Sequence, residues 1–255
     1  MHPRPDVFGV PLSALTMDEV LASIDEWIRR EERHYICTID VHALVESQFA
    51  LDVRDIYRSA AIAAPDGMPL VWLLRYAGHS QADRICGPDL MPAVFRQSQS
   101  KGYRHFLYGS SEETLSMLRC ELNRNFPGAR VVGHHSPPFR PLSPEEEREV
   151  DRLVNAAEPD IVWVGLGAPK QDRWMAAHRS RLNAPILIGV GGAFEMMAGK
   201  VRRAPPIIRR TGFEWVFRMM QEPRRLSGRY LKSNIQFLMM LASQRRRAER
   251  RVADI

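Results

Sequence analysis

Apolar and polar positions along this chain follow two alternating periods. In residues 17–29 (MDEVLASIDEWIR), Val20, Leu21, Ile24, Trp27 and Ile28 share one helical face, and Thr16 stands where an N-cap belongs. Tyr35–Ile39 reads as a short buried strand, and helical spacing resumes from His42 to Phe49. AAIAA (60–64) is strand-like and stops at the turn signal Pro65-Asp66-Gly67. Residues 104–108 predict a strand ending in Gly109-Ser110-Ser111, then a helix to about Phe126; Val131-Val132 predicts a short strand. Ser143-Pro144-Glu145-Glu146 has the order of a helix start, with Ser as cap, Pro first and Glu third, and the helix should run to about Ala157. IVWVG (161–165) and PILIGV (185–190) are continuous apolar runs, as in strands covered on both faces, with a helix from about Lys170 to Leu182 between them. This alternation predicts an α/β, Rossmann-like doubly wound, mostly parallel sheet over residues 1–205.

The pattern changes after residue 205. GFEWVFRMMQ (212–221) sets aromatics and methionines beside Arg218, and Pro223 interrupts the helical period. Arg218, Glu222, Arg225, Arg229 and Lys232 would form one charged stripe if the axis continued through that proline. Residues 200–255 hold 15 Lys+Arg against four acids, a charge of +11 in a chain whose total is +6. Residues 206–255 are therefore expected to be a basic, amphipathic helical appendage. It either docks on the body with a solvated face or lies on a membrane surface.

Composition narrows the classes. With 255 residues, 45% hydrophobic and 26% charged, the chain is globular, and no apolar run is long enough to span a bilayer. The first residues, MHPRPDVFGVPLSA, lack the apolar core of a secretion signal. Cys37, Cys86 and Cys120 are widely spaced and odd in number, which suits a reducing, cytoplasmic setting. No Asp-x-Asp or Cys/His grouping suggests a metal, and no cofactor is implied. Lys170 and Phe194 stand where a dinucleotide fingerprint needs its third glycine, which weakens a reading as an NAD(P)-dependent oxidoreductase. A nucleic-acid-binding reading rests on the basic tail alone, which carries no recognised reading motif.

Ligands of doubly wound sheets bind beyond the carboxyl ends of the strands. There stand Thr38 and Asp40, Asp66, Gly109, the turn Gly165–Gln171 and the turn Gly189–Phe194. Asp66 can be a general base for a sugar hydroxyl or can merely shape a turn; Asp40 can line a pocket or cap the next helix. Without a metal, a diphosphate would need arginines, and Arg84, Arg202, Arg203, Arg218 and Arg225 are available.

Seven motifs appear in order: Thr38-x-Asp40, Ala64-Pro-Asp66-Gly67, Arg84-x-x-Gly87-x-Asp89-Leu90, Gly165-x-Gly167-x-Pro169-x-Gln171, Gly191-Gly192-Ala193-Phe194, Gly199-x-x-x-Arg203-Ala-Pro205 and Gly212-Phe-Glu214-Trp215-x-x-Arg218. From about residue 8 to 235 the chain resembles the WecG/TagA/CpsF glycosyltransferases. The resemblance implies inverting, metal-independent transfer from a UDP-sugar to a polyprenyl-diphosphate-linked saccharide. It places the enzyme at the inner face of the plasma membrane, with an appendage that completes the active site. Asp66 matches the proposed base and Thr38 the active-site threonine. Arg84 and Gln171 match pocket residues, and Arg218, Arg225 and Arg229 match arginines that meet the diphosphate. Apart from the resemblance, the strand-end glycines Gly109, Gly167 and Gly191 would let the backbone approach a phosphate or a ring closely. Asp40 replaces a frequent Asn, which puts transfer of N-acetylmannosamine in doubt. The wording DGMPLVW and GPDLM favours exopolysaccharide members and a hexose donor such as glucose, with N-acetylmannosamine or its uronic acid as the alternative. No nucleic acid is expected as a partner, and homo-oligomerisation stays open.

Overall fold

The computed structural model describes residues 2–253, excepting the side chains of Arg210, Arg225, Arg229 and residues 244–253. A hairpin of β1 (Asp6–Val7) and β2 (Val10–Pro11) opens the chain, followed by α1 (Met17–Arg29). Thr16 and Glu19 close the capping box of α1: the Thr16 hydroxyl accepts from Glu19 N at 3.2 Å, and Glu19 Oε2 accepts from Thr16 N at 2.7 Å. Then come β3 (His34–Ile39), α2 (Val41–Phe49), α3 (Leu51–Ser59), β4 (Ile62–Pro65), α4 (Met68–Tyr76) and α5 (Gly87–Lys101). These lead to β5 (Arg104–Gly109), α6 (Glu112–Asn125), β6 (Arg130–His135), α7 (Pro144–Ala156), β7 (Ile161–Gly165), α8 (Lys170–His178) and β8 (Ile186–Gly189). Four helices finish the described chain: α9 (Ala193–Met197), α10 (Pro206–Arg210), α11 (Glu214–Gln221) and α12 (Pro223–Ala253).

Strands β3 to β8 form one parallel sheet in the order β4-β3-β8-β7-β5-β6. Alternate side chains feed two cores. Cys37, Val162, Val164 and Leu187 face α2, α3, α7 and α8, whereas Ile36, Ile161, Trp163, Ile186 and Ile188 face α1, α5, α6 and α9. The central strands are buried on both faces, which is why they read as unbroken apolar runs. From β3 the chain passes to α2 on one face, and from the adjacent β8 it passes to α9 on the other. A crevice therefore opens at their carboxyl ends, at the switch point of the topology.

Two buried polar groups are structural. His105 takes the indole N–H of Trp163 on Nδ1 (3.0 Å), so its Nε2 carries the proton toward Ser98 Oγ (2.9 Å). Burial lowers its pKa to about 3 and keeps the ring neutral. Asp172 is fully buried on α8 and accepts from the Tyr57 hydroxyl at 3.1 Å. Burial raises its pKa to about 6, against the pull of bonds from Cys37 and Tyr57. The folded protein thus holds a proton that the unfolded chain gives up near pH 4, and stability should fall as pH rises from there through about 6. Asp172→Asn should flatten the dependence of Tm on pH between about 4 and 7, as thermal unfolding across that range would record.

Three local differences from the sequence reading have physical causes. Helix α8 stops at His178, because the Arg179 guanidinium gathers the carbonyls of His34, Leu182, Ala184 and Pro185 and draws the following backbone into a turn. Pairing with β5 extends β6 beyond Val131-Val132 to Arg130–His135. The charged stripe through Pro223 does not form. Glu222, at φ −132° and ψ 60°, ends α11, and the Trp215 ring lies 6.2 Å from that of Tyr230. Fifteen residues along one straight helix would separate them by about 22 Å.

The last two helices therefore fold back on each other. Helix α12 docks through Leu226, Ser233 and Phe237, with Ser233 Oγ 2.7 Å from His42 Nδ1 of α2 and Phe237 edge-on to Phe8 of the hairpin turn. Its outer face leaves Leu231, Ile235, Leu238 and Met239 exposed. Among the described residues no helix is long and apolar enough to cross a membrane.

Candidate active site

The strand ends set the floor of the site. Asp66 follows β4 directly, and its N–H bonds to Ile39 O at 2.8 Å, which fixes it beside the end of β3. Thr38, buried in β3, donates its hydroxyl proton to Gly189 O at 2.9 Å. Asp40 caps α2, Oδ1 accepting from Ala43 N at 2.7 Å. Buried Gln171 opens α8, and its Oε1 accepts from Gly191 N at 2.8 Å. This bond ties the turn after β8 to the turn after β7, where Gly191 (φ 52°) and Gly167 (φ 79°) are left-handed.

These groups face two chambers. A wide cleft of ≈ 580 Å³ runs over the carboxyl ends of β3, β8, β7 and β5 to the loop after β6. Beside it lies a narrow chamber of ≈ 110 Å³ between Met68 and Pro69 of α4, Arg84 and Cys86 of the core, and Trp215, Tyr230 and Asn234 of the last two helices. Asp40, Asp66, Pro88, Arg218 and Tyr230 line both, so the two carboxylates and one arginine stand at the junction.

The charges there are unequal in freedom. Arg84 pairs with Glu214 of α11 at 2.6 Å and lies 3.4 Å from Asp89; Arg203 grips Asp89 at 2.6 Å, and Arg209 lies 3.5 Å from it. This network fastens α10 and α11 to the core. Burial alone would raise the Asp89 carboxyl, yet Arg203, the Cys86 thiol and Arg84 hold it at about 2. Among the described residues no hydrogen bond or ion pair engages the Asp66 carboxylate or the Arg218 guanidinium, and Arg218 Nε is buried without a partner. Burial, then the neighbouring Asp40 carboxylate, push the Asp66 carboxyl well above the usual range; Arg84 and Arg218 oppose them, and Glu214 adds to the rise. Arg218 lies across the glycine turn, where a Cβ on Gly192 would come within 2.9 Å of Nη2. Among the described residues no set of three or more His, Cys, Asp or Glu side chains converges as metal ligands.

The sequence family described as Glycosyl transferase WecG/TagA/CpsF matches residues 5–251. The chain belongs to that family. Similar proteins include an N-acetylglucosaminyldiphosphoundecaprenol N-acetyl-beta-D-mannosaminyltransferase of Staphylococcus aureus (strain MW2), 26% identical over 249 residues, 97% of this chain and 95% of that one. A protein of the same name from Bacillus spizizenii is 29% identical over 170 residues, 67% of this chain and 64% of its own.

Within this WecG/TagA/CpsF protein, Thr38, Asp40, Asp66, Gly167, Gln171, Gly191 and Arg218 all line the wide cleft. Arg84 lines the narrow chamber instead, already committed to Glu214. Gly109 lines neither: a Cβ there would meet the Gly165 backbone at 2.7 Å, so it is a packing glycine, and Ser110 and Ser111 face the cleft. The side chains of Arg225 and Arg229 lie outside the described residues. Sequence reasoning assigned no role to Glu214, Tyr230, His42, Ser233 or Asn234, which line the narrow chamber. Glu214 stood inside a motif; the others come together only through the fold-back at Glu222.

Proposed function

We propose that this protein is an inverting transferase that moves N-acetylmannosamine from a UDP-sugar to a lipid-linked N-acetylglucosaminyl diphosphate. The names of its relatives speak for this donor and not for a hexose such as glucose. The observation that carries the reading is the junction, where a wide and a narrow chamber meet: a desolvated carboxylate beside a guanidinium, neither with a partner among the described residues. The nucleotide sugar fills the wide cleft, and the acceptor hydroxyl arrives through the narrow chamber. Its oxygen attacks the anomeric carbon while Asp66 takes its proton. The bond to the diphosphate breaks, and Arg218 meets the charge that develops on the leaving oxygen. Residues 206–255 act as an appendage that closes the site and holds the enzyme at the cytoplasmic membrane surface. There the exposed Leu231, Ile235, Leu238 and Met239 face lipid, and the net charge of +11 in residues 200–255 draws the chain to an anionic surface.

Nucleotide release tests this with UDP-N-acetylmannosamine, its uronic acid and UDP-glucose, each with and without a polyprenyl-diphosphate N-acetylglucosamine acceptor. Acceptor-dependent release from UDP-N-acetylmannosamine alone is expected. Release only from UDP-glucose, or none from any donor, overturns the donor assignment.

Asp40 bears on the same chemistry. The base must be ionised to act, so kcat/KM should climb as pH rises through the elevated pKa of Asp66. Asp40→Asn keeps an oxygen to cap Ala43 N and removes the like charge. The acid limb of kcat/KM should move to lower pH in that variant; an unmoved limb would separate Asp40 from the base.

A further inference from the structure

Among the described residues nothing bonds the Arg218 guanidinium, so the helix that carries it must aim it. That helix is α11, and none of its residues is fully buried. Apolar packing is therefore a loose guide to its roll and tilt, and polar tethers at its two ends do the rest.

In the first turn Glu214 pairs with Arg84 of the core at 2.6 Å. In the last turn Gln221 clasps the backbone of Arg202: its Nε2 donates to Arg202 O at 3.0 Å, and its Oε1 accepts from Arg202 N at 3.2 Å. One side-chain amide thus meets both polar groups of a single residue, as a neighbouring strand would. A carboxylate has no donor and a thioether has no N–H, so neither can repeat the clasp at equal length. The anchor is itself held on both sides. Before it, Lys200 N and Val201 N both bond Glu195 O, at 2.9 and 3.2 Å, and the Glu195 carboxylate accepts from Ser110 at 2.8 Å. After it, Arg203 bonds Asp89 at 2.6 Å and Ala204 is buried.

Glu214, Arg218 and Gln221 stand at i, i+4 and i+7 of α11, so all three project from one face. A roll of the helix that carried Arg218 off the Gly191-Gly192 turn would also pull Gln221 away from Arg202. Gln221 lines neither chamber, so an effect on the chemistry has to pass through the helix.

We propose that Gln221 is a positioning residue: its clasp on the Arg202 backbone sets the roll of α11 and so places the Arg218 guanidinium against the leaving diphosphate. The inference rests on the transferase reading and adds to it a residue that touches neither substrate. A misplacement of about 1 Å can cost about 10²-fold in rate, so two exposed hydrogen bonds that add little to stability can matter greatly to turnover.

Acceptor-dependent nucleotide release tests it in wild type, Gln221→Met, Gln221→Glu, Arg218→Ala and the double variant Arg218→Ala/Gln221→Met, with kcat, donor KM and Tm measured for each. Gln221→Met should lower kcat by about tenfold, with donor KM within about twofold of wild type and Tm moved by no more than a few degrees. Gln221→Glu, which keeps the acceptor and loses the donor, should not restore the rate. With Arg218 already removed, Gln221→Met should cost less than about twofold more, because the group it aims is gone. Wild-type kcat in either Gln221 variant overturns the inference and leaves the transferase reading standing. A second tenfold loss in the Arg218→Ala background also overturns it, since the clasp would then serve the whole site and not the arginine. A wild-type protein that releases no nucleotide from any donor overturns both.

Discussion

Asp66→Asn should reduce acceptor-dependent transfer by about 10²–10⁴-fold, the range of a positioned general base. The fold should survive the change. No hydrogen bond or ion pair of the described residues ends on the Asp66 carboxylate, and burial and Asp40 already disfavour its ionised form. Removing that charge relieves a desolvation cost, so Tm should hold or rise at neutral pH. Donor binding should persist, because the asparagine keeps the size and one oxygen of the carboxylate. A steady-state rate near wild type would remove Asp66 from the chemistry. A fall in Tm matched to the fall in rate would assign it to the turn that follows β4.

Arg218→Ala should be nearly as damaging, with a loss of about 10²–10³ in kcat, the cost of deleting one preorganised donor aimed at developing charge. Its guanidinium is poised over the Gly191-Gly192 turn with no partner among the described residues, so it spends no binding capacity on the fold. Arg218→Lys should recover only part of the rate, since an ammonium cannot reproduce a planar fork against two phosphate oxygens. Measuring kcat and donor KM separately decides the role. A loss confined to KM would make Arg218 a binding group for the ground state, and the charge on the leaving group would need another partner.

Much of the core was readable because its signals are local. The capping boxes of α1 and α7 lie within four residues of sequence, and the unbroken runs of β7 and β8 report burial on both faces directly. Helix α5 went unread, since Pro88 and Pro92 obscure its period; one sits in the first turn and the other within the helix. At the site, Asp66, Thr38 and Asp40 were legible because strand ends in a doubly wound sheet point to one crevice. The narrow chamber was not. Its walls depend on α11 and α12 folding back at Glu222, and on Arg84 reaching Glu214 130 positions along the chain. Gly109 was misjudged for a related reason, since a strand-end glycine can serve the crossing of two strands as readily as a ligand, and only the 2.7 Å approach to Gly165 distinguishes them.

The meeting of two chambers at one carboxylate also dictates how reactants and products pass each other. On the proposed function, a water-borne donor and a membrane-borne acceptor would reach the same atoms through different openings, so neither would have to leave before the other entered. The spent nucleotide would then depart down the wide cleft while the lengthened lipid still occupied the narrow one. That layout would suit a ternary-complex enzyme in which nucleotide exchange is decoupled from traffic in the bilayer, with turnover following the donor concentration even where lipid moves slowly.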